Sequence, residues 1–162
     1  MMKRLCAATV LFMLLPPAFA LDAACEPILN ASEAKLTQAA WHSTVKTDGA
    51  TLESIKVDGQ FFMSMGGKWQ KSPMNLDEAE KIAIGMMKDG SIKVTNCKDE
   101  GEDTLDGVAV TVLSYQSEAG DLGGGAVKLY IGKDDGLPYQ SVTDDGKTTS
   151  STRYKDIAAP KL

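Results

Sequence analysis

Short segments in which apolar and polar residues alternate fill most of the chain, and tight turns separate them. Six Asp-Gly pairs mark these turns, because glycine accepts positive φ and aspartate tolerates it. The segments between the turns favour β structure: they cover residues 41–46, 51–57, 60–65, 68–70, 91–98, 108–117, 126–132, 139–143 and 148–157. The pattern predicts an antiparallel meander of about eight or nine strands.

Two segments depart from this alternation and predict helices. Residues 26–39 place Ile28 and Leu29 among helix formers, and residues 75–88 begin with Asn75, a typical N-cap residue. The apolar residues of the second segment cover roughly 200° of a helix surface, more than one-sided packing requires. We therefore expect an N-terminal helix and one inserted helix, the latter covered on more than one side.

The strand patterns predict a sheet that is apolar on both faces. In residues 60–65, Phe61, Met63 and Met65 share one face while Phe62 lies on the other. Such a sheet needs cover on both sides. The expected fold class is therefore α+β, with a curved antiparallel sheet wrapped around a helix or a ligand cavity.

The N-terminus has the organisation of a secretory signal peptide. Two basic residues precede a short apolar run at residues 5–15, and Ala18 and Ala20 supply the small residues of a cleavage site. The run is shorter than the ~20 residues that a membrane-spanning helix needs. We expect cleavage after Ala20, a periplasmic protein, and a single domain over residues 21–162.

Export affects the interpretation of the cysteines, because disulfides persist in an oxidising compartment. Cys6 lies in the predicted signal, so Cys25 and Cys97 remain and predict one disulfide bridge. Lipidation of Cys25 is the alternative, since small residues precede it. Asp22, however, stands where lipoprotein signals usually carry an apolar residue.

The charge balance argues against nucleic acid as a partner. Removing the signal takes two of the 17 basic residues and leaves all 22 acidic residues, which gives a net charge of −7. Such a chain repels phosphate backbones, and its lysines form no cluster. The mature length of about 140 residues suits one domain.

Motifs of catalysis and of metal or cofactor binding are absent from the sequence, so we predict no enzyme, no cofactor and no metal site. His42, the only histidine, is expected to be an ordinary strand residue because no nucleophile motif accompanies it. The acidic residues 99–103 lack calcium-loop spacing and predict a solvated hairpin loop. Glycines 123–125 lack the residues of a phosphate loop and predict a flexible turn.

The methionines are unusually clustered, since all five of the mature chain fall within residues 63–87. Methionine is adaptable and polarizable, so it suits surfaces that fit variable apolar partners. The predicted cavity-lining residues are Phe61, Met63, Met65, Trp69, Ile82, Met86 and Met87. A packed core is one alternative for this cluster, and a thioether site for Cu(I) is another.

The C-terminal third carries three features of a known family. An apolar-aromatic-apolar strand ends in Leu129-Tyr130-Ile131, a turn contains Gly136-Leu137-Pro138, and the last strand ends in residues 154–160. This section resembles the closing part of the periplasmic LolA-like lipoprotein-carrier superfamily. The resemblance implies a half-barrel whose concave apolar face is closed by helices and binds lipids or the acyl chains of lipoproteins. The functional arginine of those carriers has no counterpart here, since Arg153 is the only arginine of the mature chain.

The sequence therefore predicts an exported protein, without catalysis, that binds a hydrophobic small molecule or lipid in an apolar cavity, a lipoprotein acyl chain being one such ligand. Lipoproteins or envelope proteins are the further expected partners. A protein-interaction or envelope-assembly module with a filled core is the alternative, and a periplasmic Cu(I) handler using Met63 and Met65 is another. An internal void distinguishes them, because a core packed at normal density leaves no space for a ligand.

Overall fold

The protein is described by a computed structural model over residues 21–120 and 123–162. The predicted signal peptide lies outside the described residues. A short 3-10 turn, Ala23–Cys25, leads into helix α1, Glu26–Leu36, and helix α2 covers Leu76–Asp89. The strands are β1 Trp41–Thr47, β2 Ala50–Val57, β3 Gln60–Met65, β4 Lys68–Lys71, β5 Lys93–Leu105, β6 Val108–Glu118, β7 Gly124–Gly132, β8 Pro138–Thr143 and β9 Thr149–Arg153.

These strands form one curved antiparallel sheet in the described part of the chain. Its order is β4-β3-β2-β1-β9-β8-β7-β6-β5, so β9 pairs with β1 and joins the two meanders. The predicted fold class, an α+β protein with an N-terminal helix and one inserted helix, is confirmed. Helix α2 begins as predicted, because the Asn75 side chain accepts hydrogen bonds from the amides of Asp77 and Glu78 at 3.0 and 3.3 Å.

One predicted loop is wrong, and a predicted turn at residues 123–125 is shorter than expected. The acidic residues 99–103 belong to strand β5 and pair with β6, with register shifts on either side of Lys98 and a positive φ of 101° at Gly101. The charges are tolerated because β5 is an edge strand whose side chains reach solvent, and charged edges resist pairing with other chains. Of the three glycines, Gly124 and Gly125 already belong to β7.

Helix α1 packs against the half of the sheet formed by β5, β6 and β7. Its buried residues Ile28 and Ala31 contact Val94, Leu113 and Leu129. The predicted disulfide is confirmed: Cys25 is bonded to Cys97, with 5.3 Å between the Cα atoms. The bridge ties the start of α1 to the edge strand β5. We call the face of the sheet on which α1 packs the helix-covered face.

Helix α2 packs chiefly against α1, and its outer side is open. Among its described residues Ile84 alone is buried, while Ile82 is 64% exposed. The prediction that α2 is covered on more than one side is therefore wrong, because the apolar arc is wider than its contact with α1. No helix in the described ranges is long and apolar enough to cross a membrane.

The opposite face of the sheet is covered without a helix. Ile55, Val57 and Phe62 form a second buried cluster, and Ile157 from the segment after β9 packs on it. The predicted strand at 148–157 therefore ends early, at Arg153. The expectation that both faces need cover is confirmed, since helices cover one and the C-terminal segment covers part of the other.

Candidate ligand-binding site

A cavity of about 270 Å³ lies between the helices and the sheet, at the N-terminal end of α2. Apolar side chains supply most of its wall: Leu36, Trp41, Leu76, Ala79 and Ala83. Alanines at 79 and 83 leave room that larger side chains would fill. The space therefore exists because the residues of α2 that face the sheet have small side chains.

A second cavity, of about 550 Å³, lies at the C-terminal end of α2 and beside strand β5. Leu21, Met87, Ile92 and Val94 form its apolar wall. Met87 and Ile92 also pack against the core around α1, and Val94 belongs to that core. Polar residues, among them Asp22, Asp89 and Lys93, form the rest of the wall, so this cavity extends from the core to the protein surface.

One apolar stripe of α2 lines both cavities. Leu76, Ala79 and Ala83 line the first and Met87 lines the second. Their spacings of three, four and four residues place them on one side of the helix. At 1.5 Å per residue the stripe is about 16 Å long. The geometry suits an extended apolar ligand lying along α2.

The sheet beneath the helices presents small hydroxyl residues. Thr152, Ser43 and Ser54 stand side by side across strands β9, β1 and β2, on the helix-covered face. Ser43 and Thr152 satisfy each other through a 2.9 Å hydrogen bond between their hydroxyls. All three side chains are short and so leave space, and the bonded pair Ser43 and Thr152 does not need polar groups from a ligand.

A partly buried ion pair fastens the N-terminal end of α2 to the sheet. Lys56 Nζ lies 2.6 Å from Asp77 Oδ2 and also donates to the Leu36 carbonyl at 3.4 Å. The two charged side chains are only 10% and 23% exposed. This contact joins β2, α1 and α2, and it sets the height of the helix above the sheet.

Two ion pairs between α1 and α2 have longer distances or more exposed side chains than the pair of Lys56 and Asp77. Lys35 and Glu80 are 3.6 Å apart, and Lys88 and Glu33 are 2.5 Å apart with about half of each side chain exposed. Exposed pairs such as Lys88 and Glu33 contribute little to stability. The most buried charged contact of α2 is therefore the one at its N-terminal end.

The seven predicted cavity residues do not line one cavity. Met87 lines the larger cavity, and the half-buried Met86 precedes it on α2. Phe61, Met63 and Met65 share the helix-covered face of β3, where Met65 is 76% exposed. Ile82 is exposed on the open side of α2.

Trp69 lies on the opposite face of the sheet, away from the methionines. It pairs with Ser64 across β3 and β4, whereas Met63 pairs with Gln70. Its ring meets that of His42 edge to face, with 5.9 Å between the centroids. The two-residue Gly66-Gly67 turn already implies this register, because successive strand residues alternate between faces.

Most of the residues that line the two cavities were not predicted from the sequence. Leu36 and Trp41 lie outside residues 63–87, which hold the methionines, whereas Leu76, Ala79 and Ala83 lie within that range but were not among the predicted lining residues. A signal was present in the alanines, since small residues four positions apart on a helix leave a gap above the surface that they face.

In the described ranges no group of three or more His, Cys, Asp and Glu side chains could hold a metal ion.

An open antiparallel sheet, with helices on one face and unfilled space between the layers, defines the class of fold. No family model matches the sequence, and no curated protein matches it either. Solved structures do match. The lipoprotein LppX from Mycobacterium tuberculosis has a TM-score of 0.53 and 15% identity over 85% of this chain and 98% of LppX.

LprF from Mycobacterium bovis matches with a TM-score of 0.50 and 15% identity, over 85% of this chain and 96% of LprF. A LolA superfamily protein from Nitrosomonas europaea matches with a TM-score of 0.32 and 11% identity, over 86% and 94% of the two chains. The matches to LppX and LprF show that this chain shares their fold, which agrees with the LolA-like fold that its C-terminal third predicted. At these identities the likeness shows the fold alone.

Proposed function

We propose that this protein binds an extended apolar chain, such as the acyl chain of a lipid, along α2 and between the helices and the sheet. One observation carries the proposal: a single apolar stripe of α2 lines both of the cavities described above. The protein acts without catalysis in this proposal, after export from the cytoplasm.

The sizes and the chemistry of the cavities support this function. The larger cavity, of about 550 Å³, lies within the range of roughly 300–1,000 Å³ that holds small ligands, and the smaller, of about 270 Å³, lies just below it. Each Å² of apolar ligand surface removed from water contributes about 25 cal/mol. The charged groups nearest to the smaller cavity are already paired with each other, so they do not need polar partners from a ligand.

The exposed side of α2 supplies the entrance in this proposal. Ile82 on α2 and Met65 at the end of β3 are large apolar side chains that water covers in the free protein. A ligand entering between α2 and β3 would cover them. Because the outer side of α2 is open, a small displacement of the helix would join the two cavities in this proposal.

A matched pair of variants on α2 tests the site. Ala83→Glu places a carboxylate in the cavity wall, and Gly85→Glu places the same group two residues away, where an added side chain meets open space. Binding of a dansyl-labelled fatty acid is measured by fluorescence titration. Ala83→Glu is expected to weaken binding at least about tenfold, because an apolar site disfavours a buried charge. Gly85→Glu should bind as the wild type does.

Equal binding by the wild type and Ala83→Glu would contradict the proposed site. If Ala83→Glu does not fold, as judged by its thermal unfolding, Ala79→Leu replaces it, because the larger apolar side chain fills the cavity without adding charge. That variant should also lose affinity.

Replacing Met63 and Met65 with leucine distinguishes the Cu(I) alternative from lipid binding. Leucine keeps the apolar volume and removes the thioether, so fatty-acid binding should survive, whereas a Cu(I) site would be lost. A wild-type protein that binds neither the fatty acid nor Cu(I) would favour the protein-interaction module instead.

A further inference from the structure

A separate cavity of about 430 Å³ lies on the opposite face of the sheet, away from the helices. The tip of the β5–β6 hairpin reaches over strands β8, β9 and β1, so Leu105 and Val108 form one wall. The floor is a row of paired strand residues, Thr44, Ser151 and Gln140. Gln140 Nε2 donates to Ser151 Oγ at 3.2 Å, so part of this polar floor is satisfied internally.

Two tyrosines contribute apolar ring surface to the cavity. The rings of Tyr139 and Tyr154 pack edge to face, with their centroids 5.4 Å apart. Their hydroxyls are committed elsewhere: Tyr139 donates to Asp135 at 2.8 Å and Tyr154 donates to the Pro138 carbonyl at 2.7 Å. Burial, followed by the hydrogen bond to Asp135, raises the pKa of Tyr139 to about 12. The rings therefore remain neutral near pH 7.

The one arginine of the mature chain also lines this cavity and is held in position by His42. Arg153 Nη2 and Nε lie 2.8 and 3.2 Å from His42 Nδ1, while His42 Nε2 lies 3.0 Å from Glu53 Oε1. A guanidinium only donates, so Nδ1 is the acceptor and Nε2 carries the proton that Glu53 accepts. Glu53 thus sets the histidine tautomer, and the histidine orients the arginine.

This arrangement uses only part of the guanidinium. Arginine has five N–H donors in a planar fork, and the contact with a single imidazole nitrogen leaves the others free. Among the described residues no carboxylate lies within ion-pairing distance of Arg153. The cavity lining also includes Lys155, and Asp106 at the hairpin tip is its one acidic side chain.

We propose that this cavity binds a small amphipathic carboxylate, whose carboxylate contacts the free edge of Arg153 and whose apolar body lies between the hairpin tip and the tyrosine rings. A planar guanidinium recognises a carboxylate through two parallel hydrogen bonds. The volume suits a small molecule. The site is distinct from the lipid groove along α2, because none of the residues that line it lines either of the cavities along that helix.

Naphthoate and its neutral counterpart naphthalenemethanol test the proposal by titration calorimetry on the mature protein. The wild type should bind naphthoate at least about tenfold more tightly than the alcohol, because charge-assisted hydrogen bonds are the stronger kind. Arg153→Gln should remove this preference and leave the alcohol affinity unchanged. Lys161→Gln removes a positive charge from the exposed C-terminal segment and should behave as the wild type.

His42→Ala gives a second readout, since the arginine keeps its charge and loses its support. Part of the naphthoate preference should then be lost in a variant whose circular dichroism spectrum still shows the wild-type fold. Equal affinities of the wild type for both compounds, or no binding of either, would overturn the proposal. So would an unchanged preference in Arg153→Gln. Loss of naphthoate binding in Ala83→Glu would place that ligand in the groove along α2 and overturn it too.

Discussion

The disulfide between Cys25 and Cys97 offers the most quantitative prediction of stability. The bridge closes a loop with a sequence separation of 72 residues. On the chain-entropy model, a cross-link over a loop of this length restricts the unfolded chain by about 4 kcal/mol at 25 °C. Reduction should therefore lower the free energy of unfolding by about that amount, a large share of the 5–15 kcal/mol typical of a domain.

Replacing both cysteines by alanine should lower the free energy of unfolding somewhat further. Cys25 is fully buried among Ile28, Val94 and Leu113, so its sulfur atom also contributes packing. Loss of one buried atom of this size adds roughly 1 kcal/mol. The comparison separates the cross-link from the packing, because the reduced wild type keeps both sulfur atoms while the alanine variant keeps neither.

Urea unfolding followed by tryptophan fluorescence measures both changes, since the buried Trp41 reports on the sheet beneath the helices. The slope of the unfolding free energy against urea should rise on reduction, because an unlinked chain exposes more surface. Reductant should not affect the Cys25→Ala, Cys97→Ala double variant. A loss below about 1 kcal/mol in the reduced wild type would refute the reasoning that the bridge acts on the unfolded chain.

Two further predictions concern the ion pair beneath α2 and the histidine. Asp77→Ala should lower the free energy of unfolding by about 2 kcal/mol, because it leaves the buried charge of Lys56 with only the Leu36 carbonyl as a partner. Glu78→Ala, in an exposed pair on the same helical turn, should change it by less than about 1 kcal/mol. Chemical denaturation compares the two, and equal losses would contradict the assignment. His42→Ala should leave dansyl fatty-acid binding unchanged, since His42 lies on the opposite face. A variant that folds but binds the fatty acid more weakly would contradict this prediction.

The sequence by itself determined the elements that depend on near neighbours. Asp-Gly turns and alternating strands located the nine strands, because turn conformation and face alternation are properties of a few consecutive residues. The Asn75 cap is local in the same way. The disulfide followed from counting, since the chain without its predicted signal peptide has two cysteines, which allow one pairing. The acidic segment of β5 was missed because its composition is that of a loop, while its pairing with β6 makes it a strand.

The sites depended on tertiary structure because their parts are distant in the sequence. His42 and Arg153 meet across 111 residues only because β9 returns to pair with β1. The apolar arc of α2 could not predict that α1 covers only part of it. The pattern shows which residues favour burial, but it does not show which element packs on them. The space along α2 arises from the height at which Lys56 and Asp77 hold the helix above short hydroxyl side chains. Periodicity within a segment carries no information about that distance, which is decided when the separate layers pack together.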